Sequence, residues 1–133
     1  MKKLKVEILS PTGKIFSGEA DHLRAPGSLG NFGVLPNHAP LFSSLDIGVI
    51  IVENSGQKEF FATSGGYCEV KDNKISILAE SSESKGSIDL ERAESSKSRA
   101  EKRLASKDKD IDFDRAKLSL LKAINRIKVV KGV

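Results

Sequence analysis

The hydrophobic pattern of the chain changes its period at about residue 85, and this change constrains the fold more than any other feature. Near the start, Leu4, Val6 and Ile8 alternate with polar or charged neighbours, as in a strand with one buried face. Beyond residue 85 the apolar residues fall at the spacing of one helix face: Leu90, Ala93, Ala100 and Leu104. No single element satisfies both periods, so the sequence predicts two modules.

The front module consists of short β-like segments separated by turn residues. Asn54-Ser55-Gly56 and Asp72-Asn73 are turn sequences typical of hairpins. The segments that predict strands are Leu4–Ile8, Phe16–Leu23, Gly48–Val52, Glu59–Thr63, Tyr67–Val70 and Lys74–Ala79. Strands at this spacing, without a helical period between them, predict an antiparallel sandwich or barrel.

The back module predicts two helices. The first runs from about residue 89 to 106, and a charged connector without apolar residues follows it. Asp112 can cap a second helix, whose predicted apolar face is Phe113, Ala116, Leu120, Ile124 and Ile127. The expected fold class is therefore α+β: a β-sandwich domain over residues 1–84 and an antiparallel helical hairpin over residues 85–133.

The amino-acid composition excludes most kinds of catalytic and metal-binding site. Cys68 is the only cysteine, which excludes a disulfide framework and a cysteine-based zinc site. His22 and His38 are the only histidines, and neither has a cysteine, histidine or paired carboxylate at metal-ligand spacing. We predict no catalytic residues and no metal site. No apolar run reaches the roughly 18 residues that span a bilayer, and the start lacks a signal-peptide pattern, so we expect a soluble intracellular chain.

A glycine-rich stretch, Gly27–Gly33, reads G-x-x-G-x-x-G and superficially suggests a phosphate-binding loop. Such a loop needs a helix N-terminus directly after it. Pro36 and Pro40 follow instead and forbid a regular helix. The glycines are better explained by tight turns and close backbone approach.

Charge is distributed unevenly between the modules. Residues 1–80 hold 8 Lys/Arg and 9 Asp/Glu, whereas residues 81–133 hold 14 Lys/Arg and 9 Asp/Glu. The basic residues of the tail share faces at helical spacing: Arg92, Arg99 and Arg103, then Arg115, Lys122 and Arg126. Guanidinium groups bind phosphate oxygens in a bidentate manner, so a closed hairpin could grip a triphosphate. Two alternatives remain open: solvated faces neutralised by Glu91, Glu94 and Glu101, and a nucleic-acid-binding module with a basic helical clamp.

Two sequence motifs carry a resemblance to a known family. The run from Gly30 to Leu41, GNFGVLPNHAPL, resembles the G-x-x-G-x-x-P-x-H-x-P-L signature of the epsilon subunits of bacterial F-type ATP synthases. Residues 64–70, SGGYCEV, followed by ILAE at residues 77–80, are similar to the second signature of that family. The order of a β-module and a two-helix tail fits the family over nearly the full chain.

The resemblance implies a non-catalytic rotor subunit of the central stalk, which couples proton flow to ATP synthesis. It implies that the sandwich binds the gamma subunit and rests on the c-subunit ring, with Asn31 near the ring and Ser10 and His38 on the gamma side. It also implies a mobile hairpin that extends towards the beta and alpha subunits and inhibits ATP hydrolysis. The chain would then lie at the cytoplasmic side of the inner membrane, peripherally and only through the complex, without binding nucleic acid.

Some members of this family bind ATP in the folded hairpin through the motif I/L-D-x-x-R-A. The chain matches it as Ile88-Asp89-Leu90-Glu91-Arg92-Ala93. The resemblance extends the implied ATP site to Glu83, Arg99, Lys122 and Arg126. Lys122 stands where tighter binders carry arginine, so the charge is kept but the planar fork is lost. No cofactor is required by this reading, and ATP is the expected regulatory ligand.

Overall fold

The alternating residues of the front module form one sheet of eight strands. The computed structural model describes residues 2–132. The strands are β1 (Leu4–Ser10), β2 (Gly13–Ala20), β3 (His22–Gly27), β4 (Gly30–Val34), β5 (Leu41–Asn54), β6 (Gln57–Lys71), β7 (Lys74–Ala79) and β8 (Ser82–Ser84). Their order in the sheet is β2-β1-β7-β6-β5-β3-β4, and β8 pairs with β6. The pairs are antiparallel except for β1 with β7, which run parallel.

The sheet folds back on itself because its two longest strands change the face that they bury. In β6 the residues that join the apolar core are Phe61 before the glycine pair Gly65-Gly66, and Cys68 and Val70 after it. Residues 62–64 are also buried. The pairing of β5 with β6 keeps its register through this point and is interrupted only at Asp46 and Gly65, and Gly65 and Gly66 both have positive φ. A strand that switches faces in this way serves two layers.

One apolar core lies between the two layers. Strands from both ends of the sheet contribute fully buried side chains to it, including Leu4 and Ile8 of β1, Leu23 of β3 and Val34 of β4. Phe16 and Phe61 meet edge to face with ring centroids 5.5 Å apart. The predicted sandwich is therefore confirmed, and the parallel β1–β7 pair is an addition that strand patterns alone do not reveal.

The back module contains two helices, α1 (Leu90–Ala105) and α2 (Phe113–Lys131). A short 3-10 turn, Lys85–Ser87, precedes them. The chain divides into two compact units, the first ending at Lys85 and the second beginning at Gly86.

The predicted apolar face of α2 is partly wrong. Phe113 and Ile124 are 46% and 42% exposed, while Ala116 and Ala123 are buried. Small residues allow two helix backbones to approach closely, so the alanines form the contact with α1 and the bulky side chains are displaced to the flank.

Candidate functional site

Each helix of the hairpin begins at an aspartate cap. Asp89 accepts a hydrogen bond from the Arg92 backbone N–H at 3.0 Å, and Asp112 accepts one from the Arg115 N–H at 3.0 Å. Both caps have extended backbone, with Asp89 at φ −86° and ψ 104°. One carboxylate oxygen of Asp89 is thus committed to holding the first turn of α1.

The hairpin closes along a seam of alanines. Ala93 and Ala100 on α1, and Ala116 and Ala123 on α2, are buried and lie seven residues apart on their helices. Glu94, near the start of α1, lies 3.8 Å from Lys131 at the end of α2. Because this ion pair joins the start of α1 to the end of α2, the two helices run antiparallel.

The seam fixes where the basic side chains project. Six basic residues lie either one position before a seam alanine or three positions after one. At the spacing of a helix, both positions lie on the same flank, to one side of the seam. Because the helices are antiparallel, these flanks face the same side of the hairpin. The six are Arg92, Arg99 and Arg103 on α1, and Arg115, Lys122 and Arg126 on α2. We call this side the cationic side.

Two carboxylates of α1, Glu94 and Glu101, lie away from the cationic side. Glu94 and Glu101 each follow a seam alanine by one residue, so they project from the opposite flank, where Glu94 meets Lys131. Neutralisation by these glutamates is therefore not the arrangement seen here. A side with six positive charges can attract a polyanion such as a triphosphate.

The predicted ATP-binding residues occupy different environments. Arg92 and Arg99 are exposed, and Arg99 Nη2 donates to Ser96 Oγ at 3.1 Å. Lys122 and Arg126 are half-buried, as is Ile88 before the cap. Ala93 is a seam residue and contributes packing rather than a polar contact. Glu83 belongs to β8 in the first unit, where it pairs with Ala62 in the sheet.

The residues implied in partner contact are spread over the sandwich. Ser10 ends β1, and its hydroxyl contacts that of Thr12 at 2.8 Å. His38 follows β4, and its Nδ1 lies 2.6 Å from the Ala39 carbonyl oxygen. Asn31 is exposed on β4 opposite Pro26. Residues 27–33 form the β3–β4 hairpin, in which an added Cβ at Gly27 would lie 2.7 Å from the Gly30 carbonyl oxygen; the close backbone approach expected of these glycines is confirmed.

Ser10 and His38 lie near opposite ends of β7. Leu9, next to Ser10, pairs with Leu78 at the far end of β7. The loop of His38 instead reaches the start of β7, where the Asn37 N–H donates to Asn73 Oδ1 at 2.6 Å. The outer face of the sheet between them exposes three large apolar side chains, Phe42, Tyr67 and Leu78. Alternation alone could have identified them as outward-facing apolar positions.

Two further classes of site find no support in the part of the chain that the structure describes. Between residues 2 and 132, no group of three His, Cys, Asp or Glu side chains is arranged to hold a metal ion. Over the same residues, neither helix combines the length and the apolar character that a membrane crossing demands.

Each of the two units matches a known protein family. Residues 3–85 match the family described as ATP synthase, Delta/Epsilon chain, beta-sandwich domain. Residues 87–131 match the family described as ATP synthase, Delta/Epsilon chain, long alpha-helix domain.

Individual proteins agree over nearly the whole chain. An ATP synthase epsilon chain from Desulfitobacterium hafniense (strain Y51) is 46% identical over 127 residues, which cover 96% of each chain. An ATP synthase epsilon chain from Desulforamulus reducens is 45% identical over 130 residues, 98% of each chain. Among solved structures, a chain of the Euglena gracilis mitochondrial ATP synthase (OSCP/F1/c-ring in rotational state 1) superposes with a TM-score of 0.80 at 20% identity, covering 92% of this chain and 78% of that chain. This last likeness shows a shared fold.

Proposed function

The chain belongs to the ATP synthase delta/epsilon family, and from that premise we propose that it is a non-catalytic central-stalk subunit of an F-type, proton-translocating ATP synthase. The observation that carries the proposal is the match of both units, in order, to the two domains of that family. Stalk subunits transmit rotation and perform no bond chemistry. The chain accordingly needs rigid contact surfaces rather than an acid–base pair.

In this proposal the sandwich, residues 1–84, anchors the chain to the rotor. Ser10 and His38 bracket the face that meets the gamma subunit, and Asn31 on the β3–β4 hairpin meets the ring of c subunits. A sheet with a shared core resists shear between these contacts because its side chains are close-packed. Association with the membrane then occurs only through the complex, at its cytoplasmic side.

The hairpin, residues 85–133, is the regulatory part of the proposal. The buried residues of its folded state are the four seam alanines and Val129, which together bury little apolar area, so closing the hairpin is only weakly favoured. A weakly favoured state is one whose population a partner can shift. When the hairpin opens, its basic side chains become available to acidic segments of the beta and alpha subunits, and the extended arm impedes ATP hydrolysis.

ATP is the ligand that we propose for the folded hairpin. The arginines of the cationic side supply forks for the phosphate oxygens, and Asp89 supplies a carboxylate for the base or sugar. The full set comprises Glu83, Ile88, Asp89, Arg92, Ala93, Arg99, Lys122 and Arg126. Bound ATP would hold the hairpin closed, so a fall in ATP would release the arm when hydrolysis is most wasteful.

The proposal is tested on the assembled catalytic complex. The complex is prepared without the chain and then reconstituted with the full chain or with a variant lacking residues 86–133. We expect the full chain to lower the rate of ATP hydrolysis at low ATP, and the shortened variant to bind without lowering it. Equal rates with both would contradict the inhibitory role and leave the stalk assignment, whereas failure of the full chain to join the complex would contradict the stalk assignment itself.

A further inference from the structure

The two helices of the hairpin contain the same sequence pattern. Residues 88–103 read IDLERAESSKSRAEKR and residues 111–126 read IDFDRAKLSLLKAINR, which share I-D-x-x-R-A-x-x-S-x-x-x-A-x-x-R. The two segments have equivalent roles in the structure: each aspartate caps its helix through a backbone N–H at 3.0 Å, and the two alanines of each segment are buried. Since the helices run antiparallel, an approximate two-fold axis across the hairpin relates the two segments.

The repeat also explains the two positions of the cationic side that are not basic. Three residues after the first seam alanine of each helix comes a serine, Ser96 on α1 and Ser119 on α2. Both are half-buried, and Ser96 Oγ accepts a hydrogen bond from Arg99 Nη2 at 3.1 Å. A hydroxyl can donate to a phosphate oxygen without adding charge. Each helix therefore carries the same row of side chains: arginine, serine, a basic residue and arginine.

The ATP set proposed above uses only part of these two rows. Arg103, at the end of the row on α1, and Arg115, at the start of the row on α2, are exposed and lie outside that set. Neither makes an ion pair within residues 2–132. Each row extends over about 17 Å of helix, which is longer than a triphosphate chain. The two arginines are therefore available to a longer anion.

The two-fold relation favours one kind of long anion. The same groups follow one another in both directions along the hairpin, so a ligand that is also identical in both directions fits them without loss of contacts. A nucleic-acid strand and an acidic peptide each have a direction, and no aromatic residue occupies the rows to stack on a base. Linear inorganic polyphosphate has no direction, and every unit of it carries phosphate oxygens that a guanidinium fork can bind.

We propose that the cationic side of the folded hairpin is a binding site for linear inorganic polyphosphate, which lies along both rows and contacts Arg103 and Arg115. ATP and polyphosphate then compete for Arg92 and Arg99, and the longer anion adds the contacts that ATP does not reach. Asp89 distinguishes the two ligands, because its carboxylate can accept a hydrogen bond from a nucleoside but repels a chain of phosphates. The proposal goes beyond the ATP site and does not depend on it.

The test measures binding of the full chain to sodium polyphosphate and to ATP by calorimetric titration. The test variant combines Arg103→Gln with Arg115→Gln, and the matched control combines Lys102→Gln with Lys117→Gln, which removes the same charge from exposed positions outside the cationic side. The test variant should bind long-chain polyphosphate about tenfold more weakly than the control. The slope of its log affinity against log salt should be smaller by about two, while both variants should bind ATP equally.

Chain length and hydrogen exchange provide two further measurements. Affinity for the wild-type chain should rise from tripolyphosphate to long-chain polyphosphate, until the two rows are filled. Bound polyphosphate should slow hydrogen exchange of the amides in both α1 and α2, since it contacts both helices. Circular dichroism of the test variant should show unchanged helical content, and Arg103→Lys combined with Arg115→Lys should retain most of the affinity because the charges are kept.

Each contrary result has a distinct meaning. Equal affinity of the test and control variants for polyphosphate would reduce the effect to general charge attraction and overturn the site. Equal wild-type affinity for tripolyphosphate and long chains would overturn it as well, because no contact beyond a triphosphate would then exist. Tighter binding of a polyglutamate peptide, with the same dependence on Arg103 and Arg115, would assign the rows to an acidic protein segment and overturn the proposal. Binding of polyphosphate without any binding of ATP would contradict the proposed ATP site and support this one.

Discussion

Asp89 combines two roles that a matched set of substitutions can separate. Its carboxylate caps α1 through the Arg92 N–H at 3.0 Å, and in our proposal it also contacts ATP. Asp112 makes the equivalent cap on α2 at 3.0 Å but has no proposed ligand role. Replacement of a capping aspartate by alanine costs about 1 kcal/mol, while asparagine caps about as well.

These values predict graded effects on ATP affinity. Asp112→Ala should weaken binding at most about fivefold, the equivalent of about 1 kcal/mol lost from the folded hairpin. Asp89→Asn keeps the cap and loses the charge, for which a cost of about 1.5 kcal/mol gives about tenfold. Asp89→Ala loses both, so the two factors multiply to about fiftyfold.

The assay is calorimetric titration of each full-length variant with ATP, together with hydrogen exchange of the α1 and α2 amides. Hydrogen exchange should show equal loss of protection in the two alanine variants, each in its own helix. If Asp89→Asn bound ATP as tightly as the wild type, Asp89 would be a cap alone. If Asp112→Ala were as damaging to binding as Asp89→Ala, the effect would be structural and the ATP contact would be refuted.

Further outcomes follow from individual contacts. Gly66→Ala should lower the urea midpoint of the sandwich by the equivalent of more than about 2 kcal/mol, because the added Cβ collides with the Leu78 carbonyl oxygen at a φ of +128°; an unchanged midpoint would contradict this. Ala123→Leu should lower the melting temperature of the hairpin by overpacking the seam, at a cost of about 1–3 kcal/mol. Burial raises the pKa of the Cys68 thiol to about 11, so alkylation at pH 8 should require unfolding and rise steeply in urea. A hydrogen bond from Lys3 holds the pKa of Asp21 below its ordinary value of 3.8. The stabilisation that ionised Asp21 contributes is therefore complete above that pH and is lost as the pH falls further. Asp21→Asn should flatten the acid unfolding curve below pH 3.8.

The local elements of the fold could be predicted because their signals are local. Alternation located β1, and the turn at Asp72-Asn73 located the start of β7, where Lys71 pairs with Lys74. The capping chemistry of Asp112 located the first turn of α2 within one residue. Each of these signals depends only on neighbouring residues, so the sequence carries it directly.

The features of the fold that could not be predicted depend on contacts between residues that are distant in the sequence. Glu59–Thr63 and Tyr67–Val70 are predicted as two strands, yet both belong to one strand, β6, in which Gly65 and Gly66 have positive φ. The parallel pairing of β1 with β7 leaves no local pattern at all. Alanine is only weakly hydrophobic, so nothing in the sequence indicated that Ala123 of the hairpin would be buried and Ile124 exposed.

The features of the candidate site also separate into those that the local sequence predicts and those that it does not. The spacing of the basic residues predicted shared faces on each helix, and the seam places both faces on one side of the hairpin. Sequence spacing could not place the carboxylates of Glu94 and Glu101 on the other side, because that depends on which residues form the seam. The pairing of Lys5 with Lys74 was also hidden, since these residues become neighbours only through strands that are distant in the sequence.

That parallel pair has a consequence for how the chain is made. β1 can take its place only after β7 has been synthesised, because the two strands are about 70 residues apart in sequence. The sandwich therefore closes late on the ribosome, after β7 has emerged, and until then β1 can pair with β2 on one side only. The helices, whose contacts are short in sequence, form rapidly once they emerge. A slowing of synthesis just after β7 would give the sandwich time to close before the hairpin appears.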